Sequence, residues 1–102
     1  MPNNEAAIEA ELQAKGLTAP RLTPDMISNK INQIQFHRFP ETTLTICALT
    51  LQNGFVVVGE SAAASPANFD EEIGRNIAFE NARQKIWALE GYLLRESLSK
   101  ES

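Results

Sequence analysis

Asn53-Gly54, set between two β-rich runs, constrains this chain more than any other feature. Asn-Gly is the strongest two-residue hairpin signal, because both turn residues need positive φ and these two types reach it at least cost. The runs Thr42–Gln52 and Phe55–Glu60 supply the two strands. A two-residue turn would set Gln52 opposite Phe55, Leu51 opposite Val56, Leu49 opposite Val58 and Cys47 opposite Glu60. Leu49, Leu51, Val56 and Val58 then share an apolar face. Ala48, Thr50, Val57 and Gly59 make a mixed face for a partner sheet or helix. Glu60 falls at the edge of the apolar face, where an unpaired carboxylate is costly.

Helical periodicity flanks this hairpin. Ile8 and Leu12 lie four apart within Asn4–Lys15, acids crowd its positive end, and Gly16 can close it, which predicts a short amphipathic helix. Thr23 as N-cap and Pro24 at the first helical position predict a second helix running through Ile27, Ile31 and Ile34. The alternation Ile34, Phe36 against Gln35, His37 predicts a short strand ending at Pro40. Downstream, Ser65-Pro66 and Asn68-x-x-Glu71 look like helix starts. A long helix should follow from about Asp70 to Leu98, with Ile73, Ile77, Ile86, Leu89 and Leu93 as its apolar stripe and Trp87 and Tyr92 beside it. Gly74, Ala78 and Ala82 form a separate row of small residues, suited to close approach of the hairpin or of a second subunit, and Gly91 is a point of interruption.

These elements predict one α+β domain over residues 1–102: two short N-terminal helices, a small antiparallel sheet with an Asn-Gly hairpin, and a long C-terminal helix packed on it. A core of this size is modest, which makes oligomerisation a source of stability. No apolar run reaches the roughly 20 residues of a membrane helix. Met1-Pro2-Asn3-Asn4-Glu5 lacks the basic and apolar segments of a secretion signal, and the lone Cys47 fits a reducing cytoplasm. The net charge of −4 disfavours a general DNA or RNA binder, which gains affinity by neutralising phosphates.

No catalytic constellation stands out. His37 has no nucleophile near it in sequence, and no metal-ligand cluster or glycine-rich phosphate loop is present, so neither enzyme activity nor a cofactor is expected. The arginines are more suggestive. Arg21, Arg75, Arg83 and Arg95, together with Asn68, Phe69 and Asn76, would suit a pocket that stacks a base and clamps phosphates. Arg38 and Lys85 belong to the same uneven distribution of cations.

The ordered strings Leu44-Thr45-Ile46-Cys47, Leu51-Gln52-Asn53-Gly54-Phe55, Gly59-Glu60-Ser61-Ala62, Ser65-Pro66-Ala67-Asn68-Phe69-Asp70 and Lys85-Ile86-Trp87-x-Leu89-Glu90-Gly91-Tyr92 resemble a bacteriophage family named for gene products forty-nine and sixty-six of two phages. Lys15-Gly16-Leu17-Thr18-Ala19-Pro20-Arg21-x-Thr23-Pro24 extends the match. That family is similar to the type-one phage proteins that counter the Thoeris defence. The resemblance implies a homo-oligomer, a dimer or hexamer, in the host bacterial cytoplasm. It would sequester a cyclic ADP-ribose isomer or cyclic oligonucleotide without cleaving it, as a sponge does against Thoeris or CBASS signalling. The competing readings are an accessory protein that binds and inhibits a host protein, and a virion assembly factor.

Overall fold

The computed structural model describes residues 4–17 and 19–101. Met1 to Asn3, on which part of the signal-peptide reading rests, and Thr18 of the upstream motif lie outside the described residues. The element order is α1 (Glu5–Ala14), α2 (Pro24–Lys30), β1 (Ile31–Arg38), β2 (Thr45–Leu51), β3 (Val56–Ser61), one 3-10 turn (Pro66–Asn68) and α3 (Glu71–Ser99). The strands form an antiparallel sheet in the order β1-β2-β3, and α3 crosses the β2–β3 half of one face. The chain is α+β, as its sequence predicts.

Local chemistry sets the helix ends. α1 closes with Gly16 at φ 69°, where Leu17 N–H donates to Leu12 O at 2.9 Å and Gly16 N–H to Gln13 O at 3.1 Å. This pairing is the Schellman motif, which satisfies carbonyls the helix leaves open. Thr23 caps α2 by accepting from Met26 N–H at 3.2 Å. The cap of α3 is Asp70, whose Oδ1 accepts from Ile73 N–H at 2.9 Å, so the N-cap expected at Asn68 falls two residues later, and with Ile73 at N3 the expected capping box does not form. α2 is also shorter than its apolar spacing implied. It stops at Lys30 because Gln52 claims the carbonyls there: Gln52 N–H donates to Lys30 O at 2.9 Å, and its amide reaches Asn29 O and Ile31 O at 3.3 Å. Ile31 and Ile34 therefore enter the sheet.

The hairpin is present, but its register differs from expectation by one residue. Gly54 N–H donates to Leu51 O at 2.9 Å, and Leu51 N–H donates to Phe55 O at 2.8 Å, so Leu51 faces Phe55 and the loop is Gln52-Asn53-Gly54. Gly54 takes the left-handed position at φ 90°, and Asn53 Oδ1 accepts from Phe55 N–H at 3.0 Å. Leu49 consequently pairs with Val57, Cys47 with Gly59 and Ile46 with Glu60. A slip of one residue moves every β3 side chain to the other face. Val57 is buried, whereas Val56, Val58 and Glu60 point away from α3 and are exposed. Glu60 thus meets solvent.

The core face carries Thr45, Cys47, Leu49, Leu51, Val57 and Gly59 beneath α3. The part of α3 that meets it is the small-residue row, continued by Ile86: Gly74, Ala78, Ala82 and Ile86 are all buried. Ile73, Leu89 and Leu93, expected in the core stripe, are 56%, 40% and 60% exposed. The small residues are needed because α3 sits on β3 at Gly59, where an added methyl would lie 2.8 Å from Ala82 Cα and closer still to Ala82 N and Ala78 O. The row serves the hairpin, and its expected use at a subunit contact is withdrawn. Gly91 does not break α3. At 29 residues the helix spans about 43 Å. It therefore overhangs strands of about 20 Å.

Cys47 is fully buried, and burial pushes its thiol up from 9.0 to about 11. The raised value means the thiol favours the folded state below pH 9.0, and this contribution is lost as pH rises from 9.0 through about 11. We expect native protein at pH 8 to resist iodoacetamide and to be alkylated rapidly in denaturant, read by intact mass. Fast labelling of native protein would contradict this packing.

Candidate functional site

β1 ends on the core face of the sheet, and Arg38, its last residue, is paired with Thr45. The loop that follows holds the arginine in place. Arg38 Nε donates to Thr42 O at 3.1 Å, Thr42 Oγ1 donates to Phe39 O at 2.7 Å, and Glu41 takes the left-handed conformation at φ 63°. So held, the guanidinium lies 4.2 Å from the centre of the Phe69 ring. Among the described residues no carboxylate or carbonyl accepts from its two Nη groups. Phe69 lies between the 3-10 turn and the Asp70 cap, so the start of α3 fixes its ring.

Two adjoining clefts share Phe69. One, of about 460 Å³, is lined by Arg38, Glu41, Thr42, Thr43, Ala63, Ala64, Pro66 and Phe69. The other, of about 220 Å³, runs beneath Phe69 past Thr43, Asn68, Asp70 and Gly74. Thr43 Oγ1 donates to Ala63 O at 2.7 Å and joins the sheet to the far wall. Close under Gly74, the Thr45 hydroxyl is buried without a hydrogen-bond partner. A planar cation stacked on an aromatic ring with its outer N–H groups free can receive an anion, and the ring edge beside it can pack a flat heterocycle. Glu41 on the lip opposes a large polyanion.

The seven residues selected from sequence do not form one pocket. Asn68 and Phe69 meet at these clefts. Arg75 lies on the first turns of α3 and is ion-paired with Glu71 at 3.5 Å, and Asn76 beside it is exposed. Arg21 is paired with Glu9 on α1, its Nε buried without a partner. Arg83 is consumed structurally: it grips Glu5 through Nε at 2.7 Å and Nη2 at 2.8 Å and donates to Pro24 O at 2.9 Å. Arg95 stands on the overhang, 24 residues beyond Glu71 and so about 36 Å along the helix. Equal charge in the sequence hid this dispersal, because burial and pairing decide which cations remain free. Arg38, one of the unevenly placed cations but not one of the seven selected, is the one that reaches Phe69. Its parity with Ile34 and Phe36 was the available signal, since it puts Arg38 on their face of the strand.

His37 and Cys47 lie on opposite faces of the sheet. His37 pairs with Ile46 and stacks edge-on with Phe39 at 4.8 Å, while Cys47 faces α3. No helix among the described residues is long and apolar enough to cross a membrane.

Fold and cleft together define a small α+β protein in which one long helix lies across a three-stranded sheet, with a cation–aromatic cleft where the helix begins. The chain belongs to the phage protein (N4 Gp49/phage Sf6 gene 66) family, whose model matches residues 22–98. That span takes in the sheet, the cleft and nearly all of α3, and leaves out α1. No curated protein and no solved structure matches the chain.

Proposed function

We propose that this phage protein is a non-catalytic anti-defence factor of the infected cell's cytoplasm, which captures a cyclic nucleotide immune signal and holds it intact. A cyclic ADP-ribose isomer or a cyclic oligonucleotide is the ligand class. The observation that carries the reading is the Arg38–Phe69 stack over an open cleft, with the guanidinium's outer N–H groups free. A nucleotide presents both a phosphate for the arginine and a base for the ring. Thr43 and Asn68 add neutral polar side chains to the walls of the clefts. Family membership supports a role inside a phage-infected host.

The test is to incubate purified protein with a panel of these signals, remove the excess, heat-denature the protein and identify what is released by mass spectrometry. Recovery of an unmodified signal is the expected result. Phe69→Ala should weaken capture roughly ten- to a hundredfold, since one stacked base is worth about 1–3 kcal/mol. Arg38→Gln should do the same, and Arg95→Ala should leave affinity unchanged, all three with native circular dichroism. No release across the panel would end this reading in favour of an inhibitor that binds a host protein. Release of a cleaved product would end the non-catalytic assignment.

A further inference from the structure

β1 is an edge of the sheet, and along its central residues, Gln33 to His37, no fixed charge, proline or bulge protects that edge. Natural edge strands are blunted by lysine, proline or inward-pointing charge. Between the irregularity at Asn32 and the end of the strand, β1 reads Gln33-Ile34-Gln35-Phe36-His37-Arg38, with one obligate charge at its last position. The direction of its backbone groups follows from the pairing with β2. Phe39 N–H donates to Leu44 O at 3.2 Å, so residues of that parity, Gln33, Gln35 and His37, turn their N–H and C=O groups toward β2. Ile34, Phe36 and Arg38 turn theirs outward. The side chains of Ile34 and Phe36 lie on the α3 face, yet they remain 48% and 42% exposed because α3 covers the other two strands.

We propose that β1 pairs antiparallel with β1 of a second copy about a two-fold axis through Gln35, joining two three-stranded sheets into one of six strands. The register is self-selecting. With Gln35 on the axis, Ile34 faces Phe36 of the second copy in both directions, and these outward-pointing residues exchange their N–H···O=C bonds. The four apolar side chains then form one cluster on the α3 faces, with Gln33 opposite His37 on the other side. The axis shifted to Ile34 or Phe36 leaves one of the two apolar residues facing Asn32 or Arg38 instead. Charge agrees: the two Arg38 residues sit at opposite ends of the paired segment, each opposite Asn32. An edge of eight residues is about 26 Å long. A pairing of that length is at the small end of specific interfaces, which start at roughly 1,000 Å², so a weak, concentration-dependent dimer is expected. The interface needs no ligand, and its test does not depend on the proposed sequestration.

Sedimentation equilibrium between about 1 and 200 μM should show a monomer–dimer equilibrium in the micromolar range. Ile34→Lys should be monomeric throughout and melt like the wild type at concentrations where the latter is monomeric, whereas Val58→Lys on the opposite face should dimerise normally. Gln35→Cys tests the axis directly. Directly opposed, non-hydrogen-bonded residues stand about 4.5 Å apart at Cα, inside the disulfide range. Gln35→Cys should therefore form an interchain disulfide under mild oxidation, and Gln33→Cys should not. A monomer at every concentration, a dimer that survives Ile34→Lys, or a dimer in which Gln35→Cys fails to cross-link would each overturn the proposal.

Discussion

Gly59→Ala is expected to destabilise the protein by about 3 kcal/mol or more, at the upper end of overpacking costs. For a chain of this length that corresponds to a melting temperature lower by on the order of 15 °C. The position needs no unusual φ; the cost comes from proximity alone. The added methyl meets the backbone of α3 at Ala78 O and at Ala82 N and Cα, with no flexible side-chain end that can swing aside. Either α3 lifts from the sheet and gives up contacts around Val57, Ala78 and Ala82, or β3 bends and strains its pairing with β2. Ala82→Gly should not rescue the variant, because the obstructing atoms are main chain. Gly91→Ala is the contrasting substitution in the same helix: nothing lies within 4 Å of the new methyl, and a gain of about 0.5–1 kcal/mol is expected. Thermal melts followed by circular dichroism read all three. An unperturbed Gly59→Ala melt would mean that α3 does not rest on β3 as described.

The second large effect is expected at Glu5. One Oε2 accepts from Arg83 Nε at 2.7 Å and from Trp87 Nε1 at 2.8 Å, and Oε1 accepts from Arg83 Nη2 at 2.8 Å. The arginine side chain is only 6% exposed. Removing one partner of a buried pair costs about 3–5 kcal/mol, since the remaining charge has neither counter-ion nor full hydration. Here the damage should concentrate in α1, which buries no residue completely and is otherwise held by the partly buried Leu12, the exposed Ile8 and the Glu9–Arg21 pair. Glu5→Ala should release α1 before the sheet unfolds, so that Trp87 emission shifts to the red and hydrogen exchange rises across 5–14. Replacing both partners, as Glu5→Leu with Arg83→Met, should recover most of the loss, because an apolar pair of similar volume leaves no orphaned charge. If Glu5→Ala melts normally and Trp87 emission is unmoved, the network is not what holds α1.

Short-range chemistry determined a good deal of this molecule. Gly16 and Thr23-Pro24 mark helix ends in the sequence because a cap is satisfied within a few residues, and the structure uses both, whereas the cap signalled at Asn68 falls at Asp70 instead. The α+β class and the long last helix follow from periodicity in the same way. The hairpin position was legible too, but its register was not. Asn53-Gly54 permits both a two-residue turn and a three-residue loop with Gly54 left-handed, and a single residue of difference exchanges Val57 and Gly59 for Val56 and Val58 at the core. What chooses between them is α3: only Gly59 on the inner face gives the helix backbone room, while the row Gly74, Ala78, Ala82 gives the sheet room in return. That agreement links residues far apart in the chain, and no local window contains it. The fate of the arginines has the same origin. Arg83 was drawn away from any ligand by Glu5, 78 positions earlier. Arg38 was left with free donors over Phe69 because its loop ties down Nε alone. Sequence determined the fold class and the caps of α1 and α2, since caps and periodicity act locally, but the boundary between α2 and β1 was set from a distance by Gln52. Tertiary packing decided which face is core and which cation is free, since both depend on close contacts between distant segments.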